Sequence, residues 1–437
     1  MYKHEILESN LQLITVKMRG TKTATVLVMV GTGSKYESRS NSGISHFLEH
    51  MLFKGTEKRQ TALDLSSELD CLGAEFNAFT GKEYTGYWVK TESGKIKDAI
   101  SIVSDMFLNS KLSEEEIQRE KGVIIEELNM YEDNPMMHIE DVFEQCLYGD
   151  TPAGYDTIGF KDTINGFKRN DFTDYFSSQY GPRNTIICVA GNINEKTIEK
   201  TVKSSFLTKD FLGRGKNFHE KEKVQEVQTK PEMKIKYKKT DQAHISLGVR
   251  TFPKGHKDEA ALKVLSIILG GSMSSRLFIN LRERQGLAYY VHTGTEFYTD
   301  CGYITTGAGV PVAKVEQAVK TILNEYDKLK NDLVGEVEVQ KIKDMLSGRV
   351  ALQLESSDSV ASWYGRQMIQ NTAIKRIKKG KTDMKISNPE EYLKQIKAIT
   401  PAKIKKVAND IFVNKGLNMA LIGPYKDSKK FAGLLKF

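Results

Sequence analysis

The chain has 437 residues, 39% of them hydrophobic and 27% charged, with a formal net charge of +8. That length exceeds one ordinary core and by itself suggests about three domains; no window approaches the 18 or so uninterrupted apolar residues of a membrane-spanning helix. Lysine-rich runs at residues 375–379 and 403–406 stand without a zinc finger, helix-turn-helix or aromatic–basic module, so they read as solvated surface and no nucleic-acid partner is expected.

Cys71, Cys146, Cys188 and Cys301 are far apart and form no Cys-x-x-Cys pair, which argues against a disulfide framework or a thiolate zinc site and fits a reducing compartment. Residues 1–10 lack the apolar core of a signal peptide. Together these features predict a cytoplasmic protein with no membrane partner.

In chain order, residues 11–18 alternate like a half-buried strand, and residues 25–30 form a continuous apolar run suited to a strand covered on both faces. Residues 42–56 follow, with Ser42 or Ser45 able to cap a helix. On that helix His46 and His50 stand at i and i+4, so both imidazoles leave one face a turn apart. Two nitrogens so placed can reach a tetrahedral zinc ion at about 2.0–2.1 Å. Glu49 borders the same face and can reach a water without being a ligand. The same three residues would also suit a half-buried polar face, and only their context decides.

A helix is predicted over 62–72, strands over 74–80 and 85–90, and helices over 95–109 and from Ser113, where Glu114–Glu116 favour the positive N-terminal end. Helices over 136–147 and 170–180, a strand over 185–190 closed by Gly191, and a helix over 195–206 complete the first half. Residues 209–231 turn polar and charged and are expected to be a linker between domains 1–208 and 232–437.

The order of elements then starts again. Strands are predicted over 233–237 and 243–249, helices over 257–269 and 274–284, and strands over 289–298 and 303–309. Helices within 313–329 and 337–355 follow, and the strand 417–423 mirrors 186–191. Aligning Gly55 with Gly270, an offset of 215, sets His46, Glu49 and His50 against Ala261, Val264 and Leu265. Two halves of one α+β design are therefore expected, overriding the three-domain prior, with polar chemistry in the first where the second has packing.

Residues 46–56, from His46-Phe47-Leu48-Glu49-His50 to Gly55-Thr56, resemble the signature of the pitrilysin/insulysin and mitochondrial processing peptidase group of zinc peptidases, the inverzincins. Residues 120–129, with Glu127 lying 77 residues after His50, look like that family's second motif, which supplies the third zinc ligand. The resemblance covers essentially the whole chain, and the length is similar to the processing-peptidase branch. It implies two α+β domains, each a mainly antiparallel sheet with helices packed on it, facing each other across a cavity. It also implies one zinc ion per chain on His46, His50 and Glu127, Glu49 as general base, and a homodimer or a heterodimer with a related chain.

On the helix that starts at Ser113, Glu120 and Glu127 are seven residues apart and share one face. A carboxylate completes a His₂Glu site with one position left for water. Glu126 is the adjacent rival, and the family pattern favours Glu127. Glu120 would then orient a ligand histidine or tune the bound water.

In the family an Arg and a Tyr seven residues later approach the site from the opposite domain, and they match Arg282 and Tyr289. Arg282 would hold the substrate backbone or C-terminal side and the Tyr289 hydroxyl would stabilise the oxyanion. Residues 74–80 resemble the family's edge strand for an extended peptide, with Asn77, Ala78 and Phe79 as contacts, although Phe76 and Phe79 would also suit a core. Glu140 and Glu144 share a helical face and could wall a site for basic peptides. Gly270-Gly271-Ser272 lacks the ending of a phosphate loop, and the remaining six histidines have no paired spacing. The expected function is a zinc-dependent endopeptidase acting on peptides or extended protein segments; the alternative is an inactive structural or partner subunit of the same family.

Overall fold

The protein is described by a computed structural model, which covers residues 2–378 and 386–437; Lys379 of the basic run lies outside them. The first half builds a six-stranded sheet from β1 (Tyr2–Ile6), β2 (Gln12–Lys17), β3 (Thr23–Val30), β4 (Glu75–Thr80), β5 (Thr85–Glu92) and β6 (Thr185–Gly191), in the order β1-β2-β6-β3-β5-β4. The second half builds a five-stranded sheet from β7 (Glu232–Tyr237), β8 (Gln242–Thr251), β9 (Tyr290–Phe297), β10 (Gly302–Pro311) and β11 (Leu417–Gly423), in the order β7-β11-β8-β10-β9.

Apart from the added β1, the two orders match strand for strand. Each sheet has a single parallel pair, β2 with β6 and β7 with β11, and is otherwise antiparallel. This is the duplicated α+β design that the sequence offset implies.

Burial follows strand position. β3 and β6 lie inside the first sheet, and their apolar runs from Ala24 to Val30 and from Thr185 to Gly191 are buried throughout. β4 lies at the edge and alternates between exposed and half-buried residues over its first four positions. The helices of the first half that bear on the site are α1 (Ile44–Met51), α2 (Ala62–Cys71), α3 (Ile96–Asn109), α4 (Glu114–Asp133) and α5 (Pro135–Tyr148). Among the described residues no helix is long and apolar enough to cross a membrane.

The chain folds into two compact units. One comprises Met1–Leu128, Asp156–Glu222 and Val350–Asn388, and the other Asn129–Tyr155, Lys223–Arg349 and Pro389–Phe437. The continuous halves expected at 1–208 and 232–437 need correction, because each half lends a helix to the unit built on the other half's sheet. Ile139, Val142, Phe143 and Leu147 of α5 bury with Tyr303, Ala420 and Ile422 of the second sheet. Val360, Ala361, Tyr364 and Ile369 of the helix Ser357–Ile377 bury with Ile14, Leu27, Met29, Ile186 and Cys188 of the first. Gly365 permits that approach, since a Cβ there would lie 3.0 Å from Met29 Sδ and 3.2 Å from Leu27 Cδ2.

One crossing between units, Glu222 to Lys223, does fall within the expected linker. That linker is anchored rather than loose: it opens with the helix Lys209–Gly213, and the buried Lys221 Nζ lies 3.1 Å from Glu83 Oε1. A second correction concerns residues 274–284, expected as one α-helix, where the structure has a turn leading into a π-helical segment over Phe278–Arg284. The helix Ser357–Ile377 has no counterpart among the expected elements.

Candidate active site

α1 carries His46, Glu49 and His50, and its start is fixed from outside the helix. The N-cap is Gly43, at φ +96°, and a Cβ there would sit 2.3 Å from the Ile158 carbonyl oxygen. The backbone N–H groups of Gly43 and Ser45 donate to the Glu37 carboxylate at 2.7 and 2.8 Å. The capping expected of Ser42 or Ser45 is therefore corrected. Ser42 Oγ is buried without a hydrogen-bond partner among the described residues, and Ser45 Oγ pairs with the Tyr175 hydroxyl at 2.7 Å. A carboxylate, whose two oxygens each accept one of these N–H groups, displaces a serine hydroxyl at the positive helix end. Burial pushes the Glu37 carboxyl up to about 7, against the pull of these donors.

One turn apart, the His46 and His50 rings have centroids 4.7 Å from each other. Glu127 Oε2, from α4, lies 3.7 Å from His46 Nε2 and 3.5 Å from His50 Nε2, and one donor atom from each of the three residues falls within 4.8 Å of the others. Donors at about 2.0–2.1 Å from a tetrahedral ion stand roughly 3.3–3.4 Å apart, so this trio fits a zinc ion with little adjustment. Glu126 is exposed and outside the trio.

Glu120, buried on the same face of α4, receives His50 Nδ1 on one oxygen at 2.8 Å and Lys54 Nζ on the other at 2.5 Å. The first bond leaves His50 Nε2 directed at the trio. Glu49 is held from β4, where Thr80 Oγ1 donates to its Oε2 at 2.5 Å.

The electrostatics suit a cation. Burial first, and then the charge of His50, lowers His46 to about 3, which keeps it in the neutral, ligating form. Burial works against a charged His50, but the Glu120 hydrogen bond and the carboxylates of Glu127 and Glu49 outweigh it and raise its pKa. Burial raises both Glu49 and Glu127, whereas Glu120 is lowered because the His50 and Lys54 bonds overcome its burial. The carboxylates of Glu49, Glu120 and Glu127 outnumber the cationic Lys54 and His50 and leave the pocket net negative.

Of the other expected residues, Asn77, Ala78 and Phe79 lie on β4, whose outer edge has no neighbouring strand among the described residues; Asn77 is exposed and the other two half-buried. Arg282 and Tyr289 stand together on the second unit, the guanidinium 5.8 Å from the phenol ring centre, with Tyr289 75% exposed. Glu140 is exposed on α5. Glu144 departs from the expected acidic wall: it is buried, and its Oε1 accepts from the hydroxyls of Tyr298 and Tyr303. Three site residues carry no role that the sequence assigns. Lys54 follows His50 by four residues, but beyond the end of α1; Glu37 and Thr80 reach α1 from a neighbouring loop and a distant strand.

Residues 13–160 match the family model described as insulinase (peptidase family M16), and residues 166–346 match the one described as the peptidase M16 inactive domain. The chain is 32% identical over 424 residues to the uncharacterized zinc protease YmxG of Bacillus subtilis (strain 168), covering 97% of this chain and 98% of the relative. A protease from Helicobacter pylori shares the fold with a TM-score of 0.85 at 24% identity, covering 97% of this chain and 99% of that one. A peptidase M16 inactive domain from Pseudomonas fluorescens gives a TM-score of 0.85 at 16% identity, covering 98% of each chain. The inactive-domain match suits a second half in which Ala261, Val264 and Leu265 are fully buried apolar residues. With relatives named as zinc proteases along its full length, the chain belongs to the insulinase family, peptidase family M16.

Proposed function

We propose that this chain is a zinc-dependent endopeptidase that hydrolyses peptides or extended protein segments, in the manner of a processing peptidase. The observation that carries the reading is the convergence of His46, His50 and Glu127 donor atoms beside Glu49 on one short helix. Bound there, a zinc ion would supply a Lewis acid and lower the pKa of water from 15.7 to about 7. Glu49 takes the proton of the attacking water and returns it to the leaving amine. Glu120 holds the His50 ring in place through Nδ1, and Lys54 balances the charge of Glu120. An extended substrate adds to the open edge of β4 at Asn77, Ala78 and Phe79, where backbone pairing demands little of its sequence. Arg282 and Tyr289 enter the same reading as donors to the substrate backbone and the developing oxyanion.

The test is Glu49→Gln, assayed on a peptide library with metal content measured in parallel. The variant keeps its zinc and loses roughly 10²–10⁴-fold in hydrolysis; undiminished turnover would remove Glu49 as the base. An inactive structural subunit, the competing reading, predicts no hydrolysis by the zinc-loaded wild type either.

A further inference from the structure

We infer that Thr80, the last residue of the edge strand β4, is a positioning residue for Glu49: its hydroxyl holds one carboxylate oxygen, leaves the other to face the water, and ties the base to the strand that takes the substrate. The inference rests on the endopeptidase reading and adds to it a residue that touches neither metal nor substrate.

Thr80 Oγ1 donates to Glu49 Oε2 at 2.5 Å, and this is the one side-chain hydrogen bond to that carboxylate among the described residues. An O–H···O⁻ bond of that length is charge-assisted and among the stronger hydrogen bonds a protein makes. A glutamate is otherwise loose about its last torsion, which has no sharp staggered minima. One fixed donor on Oε2 therefore sets the carboxylate plane and leaves Oε1 as the free base.

The donor is itself well fixed. Threonine is β-branched and stiff about χ1, and Thr80 pairs in register with Thr85 of β5. Alternation along β4 puts Phe76, Ala78 and Thr80 on one face and Asn77 and Phe79 on the other. The first of these faces meets the α1 region twice, through Phe76 against Phe53 at 6.4 Å between ring centres and through Thr80 against Glu49. Among the described residues the opposite edge of β4 has no strand beside it. A peptide that adds there pairs with the same strand that carries the hydroxyl aiming the base.

The experiment uses the zinc-loaded full-length chain and a peptide taken from a library digest, and compares wild type with Thr80→Val, Thr80→Ser, Glu49→Gln and the Thr80→Val/Glu49→Gln double variant. Valine removes the donor at nearly constant shape, and serine keeps it. Thr80→Val should lower kcat roughly 10- to 100-fold, the worth of one hydrogen bond to a charged group, with KM and zinc content unchanged. Thr80→Ser should retain most of the activity, and the double variant should be no slower than Glu49→Gln alone.

Full kcat in Thr80→Val alongside an inactive Glu49→Gln would overturn the role of Thr80 and leave the endopeptidase reading standing. Equal losses in the Val and Ser variants, accompanied by loss of zinc or a lowered melting temperature, would overturn it in favour of a purely structural threonine. A zinc-loaded wild type that cleaves no peptide would overturn the endopeptidase reading and this role together.

Discussion

At the scale of single residues, His46 shows how burial prepares a ligand. An imidazole in the unfolded chain titrates near 6.5, while burial and the neighbouring charge of His50 bring the folded group to about 3. Between those values the unfolded chain binds a proton that the folded chain refuses. The stability of the metal-free protein therefore rises with pH through this window, and is lost from His46 as pH falls below 6.5. Glu37 has the opposite sign: raised to about 7 from an ordinary 4.5, it binds its proton more tightly when folded and favours the folded state on acidification. The two oppose each other, so a bare pH profile would hide both, and a comparison of variants separates them. In urea unfolding of chelator-treated protein, lowering the pH from about 8 to 5 should destabilise wild type more than His46→Gln, in which the imidazole is gone and Glu37 remains. Identical pH slopes for the two proteins would contradict the burial of a neutral His46. The residues legible in the sequence are those whose relation is set by helical period: His46 with Glu49 and His50, and Glu120 with Glu127. Thr80, Glu37 and Lys54 reach the site through tertiary packing, which no spacing encodes. Glu144 was misread for the same reason, since the phenols that bury it come from β10 and the segment before it.

At the scale of the element, α1 has only eight residues. A helix that short is not stable by propensity, so its geometry depends on what holds its ends. The Glu37 carboxylate, the Ser45–Tyr175 pair and the turn at Gly43 do this at the N-terminal end, three residues before His46. Gly43 can bear neither a side chain, for want of space beside the Ile158 carbonyl, nor a different φ without moving the N–H groups that Glu37 holds. Gly43→Ala should therefore cost about 1–3 kcal/mol and weaken zinc binding, because the displaced first turn carries His46. Thermal unfolding and a zinc titration against a chelator would check both, and a variant with wild-type melting and metal affinity would show that the turn is not what places the helix. The strands were legible because β3 and β6 are continuous apolar runs and β4 alternates. The segment Phe278–Arg284 was not, because a π-helical turn differs from an α-helical one by a single residue of pitch and leaves no distinct pattern in so short a stretch.

At the scale of the whole molecule, the repeat was legible and the partition was not. The offset of 215 lays α1 on the helix Glu259–Gly270 and β4 on β9, and although the remaining strands drift to larger offsets, each half repeats the same strands in the same order. It cannot reveal that α5 and the helix Ser357–Ile377 are exchanged, since an apolar helix face does not name the sheet it will cover. The exchange makes each unit depend on both halves of the chain. Cut at Glu222, the first fragment would keep the zinc donors but lose Val360, Ala361, Tyr364 and Ile369 from above Leu27, Met29, Ile186 and Cys188. It would also carry α5 with Ile139, Val142, Phe143 and Leu147 deprived of the second sheet. Each loss exposes several large apolar side chains, worth about 1.5–3 kcal/mol apiece when buried, against a total stability of only about 5–15 kcal/mol. Residues 1–222 expressed alone should then show no cooperative unfolding and no zinc binding near the affinity of the whole chain, whereas 1–222 and 223–437 produced together should recover both. Calorimetry and metal analysis on the separate and combined fragments decide the matter: a lone 1–222 fragment that melts cooperatively and holds zinc would mean that the borrowed helix is dispensable and that the metal-bearing sheet folds on its own half of the sequence.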